Sequence, residues 1–88
     1  MAWTIEFESR VEKELGKLDS GARKNILRYL RDRVASAEDP RRLGKSLQGE
    51  LGGLWRYRVG NHRIVCRLED AKLVVLVLRV AHRREVYR

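Results

Sequence analysis

The sequence predicts a single α+β domain in which an antiparallel sheet carries a helical hairpin on one face, in the order βααβββ. Three observations predict it. Apolar residues alternate near the N-terminus, recur at helical spacing through the first forty residues, and alternate again from Leu54 to Ala81. With 88 residues the chain has length for one domain, and residues 1–88 are read as one. A chain this short must use nearly all its apolar residues in one thin core, and a hydrophobic fraction of 43% suffices for that.

Trp3, Ile5 and Phe7 alternate with Thr4, Glu6 and Glu8, the period of a half-buried strand. From Phe7 the period changes: Phe7, Val11, Leu15 and Leu18 fall at helical spacing with charges between them. Asp19-Ser20-Gly21 breaks that segment, and Asp19 or Ser20 is placed to cap the next helix. Ala22, Ile26, Leu30, Val34 and Ala37 make a second apolar stripe. Asp39-Pro40 ends it. The two stripes need a sheet to cover them. Residues Arg41 to Gly53 hold four of the seven glycines, show no clean period, and read as a loop.

Leu54 to Ala81 reads as three antiparallel strands. Val59-Gly60-Asn61-His62 is a two-residue hairpin signal. It pairs Val59 with His62, Arg58 with Arg63, Tyr57 with Ile64 and Arg56 with Val65. One face then carries Trp55, Tyr57, Val59, Ile64, Cys66 and Leu68, the core side; the other carries Arg56, Arg58, Arg63 and Arg67. Asp70-Ala71-Lys72 turns the chain into a central strand that is apolar on both faces, Leu73 to Val80. Keeping Arg79 out of the core puts Val74, Leu76, Leu78 and Val80 toward the helices. Leu73, Val75, Val77, Arg79 and Arg83 then share the arginine face.

Charge narrows the function. Residues 1–40 carry eight basic and eight acidic residues, which cancel, whereas residues 41–88 carry twelve against four and hold the whole net charge of +8. Fifteen of the twenty basic residues are arginine, whose planar fork meets phosphate oxygens in pairs. Like charges directly opposite one another destabilise a sheet. A face with Arg58 opposite Arg63, Arg56 and Arg67 beside them and no carboxylate among them therefore suits a polyanion. Beyond the central strand, His82-Arg83-Arg84-Glu85-Val86-Tyr87-Arg88 adds a histidine able to move a proton near neutral pH and a tyrosine able to stack on a base. No run approaches a membrane span, the N-terminus lacks the regions of a signal peptide, and the single Cys66 allows neither an intrachain disulfide nor a thiol metal cage. These features point to a cytoplasmic protein.

The sequence resembles the RelE-type toxins of the RelE/ParE toxin–antitoxin superfamily over essentially its whole length. The resemblance is carried by Trp3-Thr4-Ile5-Glu6-Phe7, by Gly44-Lys45-Ser46-Leu47-Gln48-Gly49, by Leu54 through Ile64, and by Val80-Ala81-His82-Arg83-Arg84-Glu85-Val86-Tyr87. It implies the βααβββ fold and cleavage of mRNA in the ribosomal A site, a 2′-hydroxyl attacking the adjacent phosphate without a metal. It further implies a cognate RelB-like antitoxin, acidic and extended, as partner. Carried over by motif position, Arg56 and Arg58 match basic strand residues, Arg63 the phosphate-binding arginine, Arg83 the C-terminal basic residue and Tyr87 the C-terminal tyrosine. Arg67 joins the phosphate contacts. Some members have lysine at Arg56 and Arg58, and arginine is a poor general base; His82 or Tyr87 is then the proton acceptor, with Arg63 and Arg83 on transition-state charge. The ParE branch offers the other reading on the same fold, a non-enzymatic inhibitor that binds DNA gyrase.

Overall fold

The computed structural model describes residues 3–82. The chain runs β1 (Thr4–Phe7), α1 (Ser9–Gly16), α2 (Ser20–Tyr29), β2 (Lys45–Ser46), β3 (Trp55–Val59), β4 (His62–Glu69) and β5 (Val74–His82). The strands form one sheet in the order β1-β5-β4-β3-β2. Two features go beyond the pattern of the sequence. β1 pairs with β5 in parallel, Thr4 opposite Val74 through Phe7 opposite Val77, so the sheet is mixed. A two-residue β2 inside the expected loop pairs Lys45 with Arg56 and Ser46 with Trp55.

Both helices cover one face. Val11 and Leu15 of α1 and Ile26 of α2 are buried with Leu30 and Val34 against Trp3, Tyr57, Ile64, Cys66, Val75, Val77 and Val80. Asp19 starts α2 by accepting a hydrogen bond from the Ala22 amide at 2.8 Å, which satisfies one of the orphan donors of a helix start. After Tyr29 the helix continues through one π turn, Leu30–Val34, and the Ala35 carbonyl accepts from the Trp3 amide. That bond closes α2 back onto the start of β1. Phe7, read as the first residue of the helical stripe, instead ends β1 and stays 36% exposed.

The hairpin of β3 and β4 has the register read from its turn: Val59 opposite His62, Arg58 opposite Arg63, Tyr57 opposite Ile64 and Arg56 opposite Val65. Gly60 takes φ +59°, a left-handed value that glycine adopts without a Cβ clash. Parity on β5 differs from the expectation. Glu69 pairs with Val74, so the connection spans the four residues 70–73, with Leu73 at φ 53°. An even connection turns Val75 and Val77 toward the helices and puts Val74 and Leu76 opposite Glu69 and Arg67. A bulge then intervenes: Cys66 pairs with Val77 but Val65 with Arg79. The extra residue, Leu78, shifts the alternation by one. Val80 therefore returns to the helix side and Ala81 lands on the arginine side, opposite Arg63.

Candidate functional site

The face of the sheet away from the helices is built from residues the core cannot use. Tyr57, Ile64 and Cys66 point inward and are fully buried. Strand alternation therefore sends Arg56, Arg58, Arg63 and Arg67 outward to one common face. Arg58 and Arg63 occupy directly opposite positions, with Cβ atoms roughly 5 Å apart by strand geometry. Beneath them, Val65 and Ala81 are buried in a small second apolar cluster covered by Leu47 and Leu54. The Leu47 amide donates to the Leu54 carbonyl at 2.9 Å. This floor supports the arginine stems, and Arg56 and Arg63 are half-buried against it while Arg58 and Arg67 stand exposed.

The sequence pattern missed one cation of this face. Lys45 pairs with Arg56, so it extends the row to the sheet edge and is exposed. Its signal was the Gly44-to-Gly49 segment, where glycine is needed for contact. A Cβ on Gly44 would lie 2.7 Å from the Arg56 carbonyl and 2.9 Å from the Tyr57 ring. Only a residue without one lets β2 approach β3.

Electrostatics separates the arginines of this face from those elsewhere. Arg41 forks onto Asp70 at 2.5 and 3.1 Å, also meets Asp39, and lies 5.8 Å above the Trp55 ring. The hydrogen bond from Arg41 holds the Asp70 carboxyl below its usual range. Arg31 pairs with Asp32, and Arg10 and Arg79 with Glu14. Arg58, Arg67 and Lys45 have no ion pair or side-chain hydrogen bond among the described residues. The only acid on β4, Glu69, sits at its far end beside Lys72, at 3.8 Å. Burial pushes the Cys66 thiol and the Tyr57 hydroxyl well up, which keeps both neutral and in the core.

Of the expected site residues beyond β4, His82 alone is among the described residues. His82 pairs with His62 across β4 and β5. Its ring meets the His62 ring edge-on at 5.7 Å, in a cleft of about 400 Å³ lined also by Glu14, Lys17 and Arg79. That cleft is on the helix side, the side that alternation with Val80 gives His82. Arg79 pairs with Val65, on the side of the arginine face as expected, and its guanidinium lies 3.7 Å from Glu14 of α1. Arg83 and Tyr87 lie outside the described residues.

A sheet with two helices packed on it is the architecture of the solved RelE toxins. The family model for the ParE toxin of type II toxin–antitoxin systems matches residues 5–87, and the chain belongs to that family. Within it the chain is a RelE-type toxin of the RelE/ParE superfamily. It is 31% identical to toxin RelG of Mycobacterium tuberculosis over 88 residues, all of this chain and 99% of that one. Among solved structures it is similar to the RelBE2 toxin–antitoxin complex of Mycobacterium tuberculosis, with a TM-score of 0.87 and 28% identity over 97% of this chain and 95% of that one. It is also similar to the isolated RelE toxin of E. coli, with a TM-score of 0.71 and 25% identity over 92% and 84% of the two chains. Among the described residues no helix is long and apolar enough to cross a membrane.

Proposed function

We propose that this toxin is a ribosome-dependent mRNA endoribonuclease that inhibits translation. The observation that carries the reading is the shared face of Arg56, Arg58, Arg63 and Arg67, held by hairpin register, with Arg58 and Arg67 without acidic partners among the described residues. Like charges are kept adjacent at a cost to the sheet, and a bound phosphate backbone removes that cost.

In the reaction, a 2′-hydroxyl loses its proton and its oxygen bonds to the adjacent phosphorus. The bond from phosphorus to the 5′-oxygen breaks, and that oxygen takes a proton. The products are a 2′,3′-cyclic phosphate and a free 5′-hydroxyl. The phosphorane between them carries the largest negative charge, so donors aimed at it lower the barrier most. Arg63 and Arg83 take that role. Arg56, Arg58 and Arg67 hold flanking phosphates and align the hydroxyl with the leaving oxygen. His82, whose ring meets His62 edge-on, or Tyr87 is the proton acceptor. No residue role requires a metal or other cofactor.

The partners follow: mRNA in the ribosomal A site, and a RelB-like antitoxin in a cytoplasmic complex. Support for the antitoxin comes from the RelBE2 relative, which was solved as a toxin–antitoxin complex. The name of the matching family model supports a second reading, a ParE-like inhibitor that binds DNA gyrase without chemistry. Sequencing RNA 5′ ends after brief expression separates the two. New 5′-hydroxyl ends within translated mRNA support the nuclease. Intact mRNA with a DNA-damage response supports the gyrase inhibitor and overturns the nuclease.

A further inference from the structure

We propose that Glu14 is a positioning residue, which sets the end of β5 against Arg63 by accepting a hydrogen bond from its backbone. The inference rests on the nuclease reading only for its consequence in cleavage. Among the described residues β5 has two neighbours along its first half and one along its second. β1 ends at Phe7, opposite Val77, and the Glu8 amide makes the last bond to this edge, donating to the Val77 carbonyl at 3.0 Å. From Leu78 to His82 the edge facing away from β4 has no strand beside it among the described residues. In an antiparallel pair alternate residues direct their backbone groups outward, and the Val80 amide points to this bare edge. Val80 is 2% exposed, so water is a poor substitute partner, and a buried donor needs an acceptor.

Glu14 provides it. Its Oε1 accepts from the Val80 amide at 2.7 Å, a charge-assisted length, across 66 residues of sequence. Its Oε2 lies 3.6 Å from Arg10 and 3.7 Å from Arg79. One carboxylate thus ties α1 to the strand just after the Leu78 bulge. The next residue, Ala81, is opposite Arg63 and forms the floor of the arginine face with Val65. An untied strand end would let that floor, and Arg63 above it, shift. A misplacement near 1 Å in an aligned reaction lowers rate by up to about 100-fold.

The test separates reach from charge. Glu14→Gln keeps the length and an oxygen acceptor but loses the charge. Glu14→Asp keeps the charge and loses one methylene of reach. Both are compared with wild type as full chains, at a temperature where far-UV circular dichroism shows them folded. Three quantities are read: mRNA cleavage in a purified translation system, Val80 amide exchange, and the amide shifts of Arg63 and Ala81. The expected result is cleavage within about threefold of wild type for Glu14→Gln and a loss of about 10- to 100-fold for Glu14→Asp, in kcat more than KM. Fast Val80 exchange and moved Arg63 and Ala81 signals accompany the loss. Glu14→Asp cleaving as well as Glu14→Gln, or unmoved Arg63 and Ala81 signals, would overturn the proposal. A wild type that leaves mRNA intact refutes the nuclease reading instead, and the exchange and shift data still decide the placement of β5.

Discussion

Replacing Arg58 by glutamine should stabilise the protein while weakening its activity. Arg58 is directly opposite Arg63 and exposed, with no ion pair among the described residues. With the two charges ~8 Å apart in water-like surroundings, Coulomb's law gives a repulsion of ~0.5 kcal/mol. That lies within the ~0.2–1 kcal/mol range of cross-strand pairs. For a domain of this size, a gain of ~0.5 kcal/mol raises Tm by about 2–4 °C. The assay is urea unfolding of wild type and Arg58→Gln at two ionic strengths. In 0.01 M salt the Debye length is ~30 Å and the full gain appears; in 1 M salt it is ~3 Å and the gain disappears. Cleavage by the same variant should fall, because a phosphate contact is gone. A variant less stable than wild type in low salt would refute the reasoning, since Arg58 would then be supporting the sheet rather than opposing it.

Three further outcomes follow from particular contacts. Tyr57→Phe removes the hydroxyl that donates to the Pro40 carbonyl at 2.9 Å within the core. It should lower stability by ~1–3 kcal/mol, read as a shifted denaturation midpoint with unchanged m. Gly44→Ala forces a Cβ to within 2.7 Å of the Arg56 carbonyl. It should release β2 from β3, seen as fast amide exchange at Lys45–Ser46 and weaker RNA binding with β3–β4 protection retained. The Asp70 carboxyl is held low by Arg41, so its contribution is present above the unfolded carboxylate value near ~3.9 and fades as pH falls through the lower folded value. Asp70→Asn should therefore be less stable than wild type at pH 7, with the difference shrinking in acid titrations as the Asp70 carboxyl takes up its proton.

The β3–β4 hairpin was legible because its two faces contrast. Apolar residues and arginines alternate from Trp55 to Leu68, and one turn signal at Gly60-Asn61 sets the register of every pair. β5 offers no such contrast. Leu73 to Leu78 is apolar at each position, so neither the four-residue connection nor the Leu78 bulge leaves a mark in the pattern. The reversed parity of Val75 and Val77 follows from that. Long-range pairs were equally silent. Glu14 reads as one more charge on the wet side of α1, and nothing local announces that its carboxylate reaches Val80. β2 was hidden by its brevity, although Gly44 marked the place where backbone meets ring. The parallel pairing of β1 with β5 depends on where α1 and α2 return the chain, which periodicity does not encode.

The most direct measurement is cleavage of a defined mRNA on stalled ribosomes by wild type and Arg63→Ala, with folding matched by circular dichroism. Arg63 projects from the half-buried floor between Arg58 and Ala81. Losing one donor to the charged phosphorane should slow single-turnover cleavage about 100- to 1,000-fold, with ribosome binding weakened far less. A folded Arg63→Ala that cleaves at the wild-type rate would contradict the assignment of this arginine face to RNA chemistry.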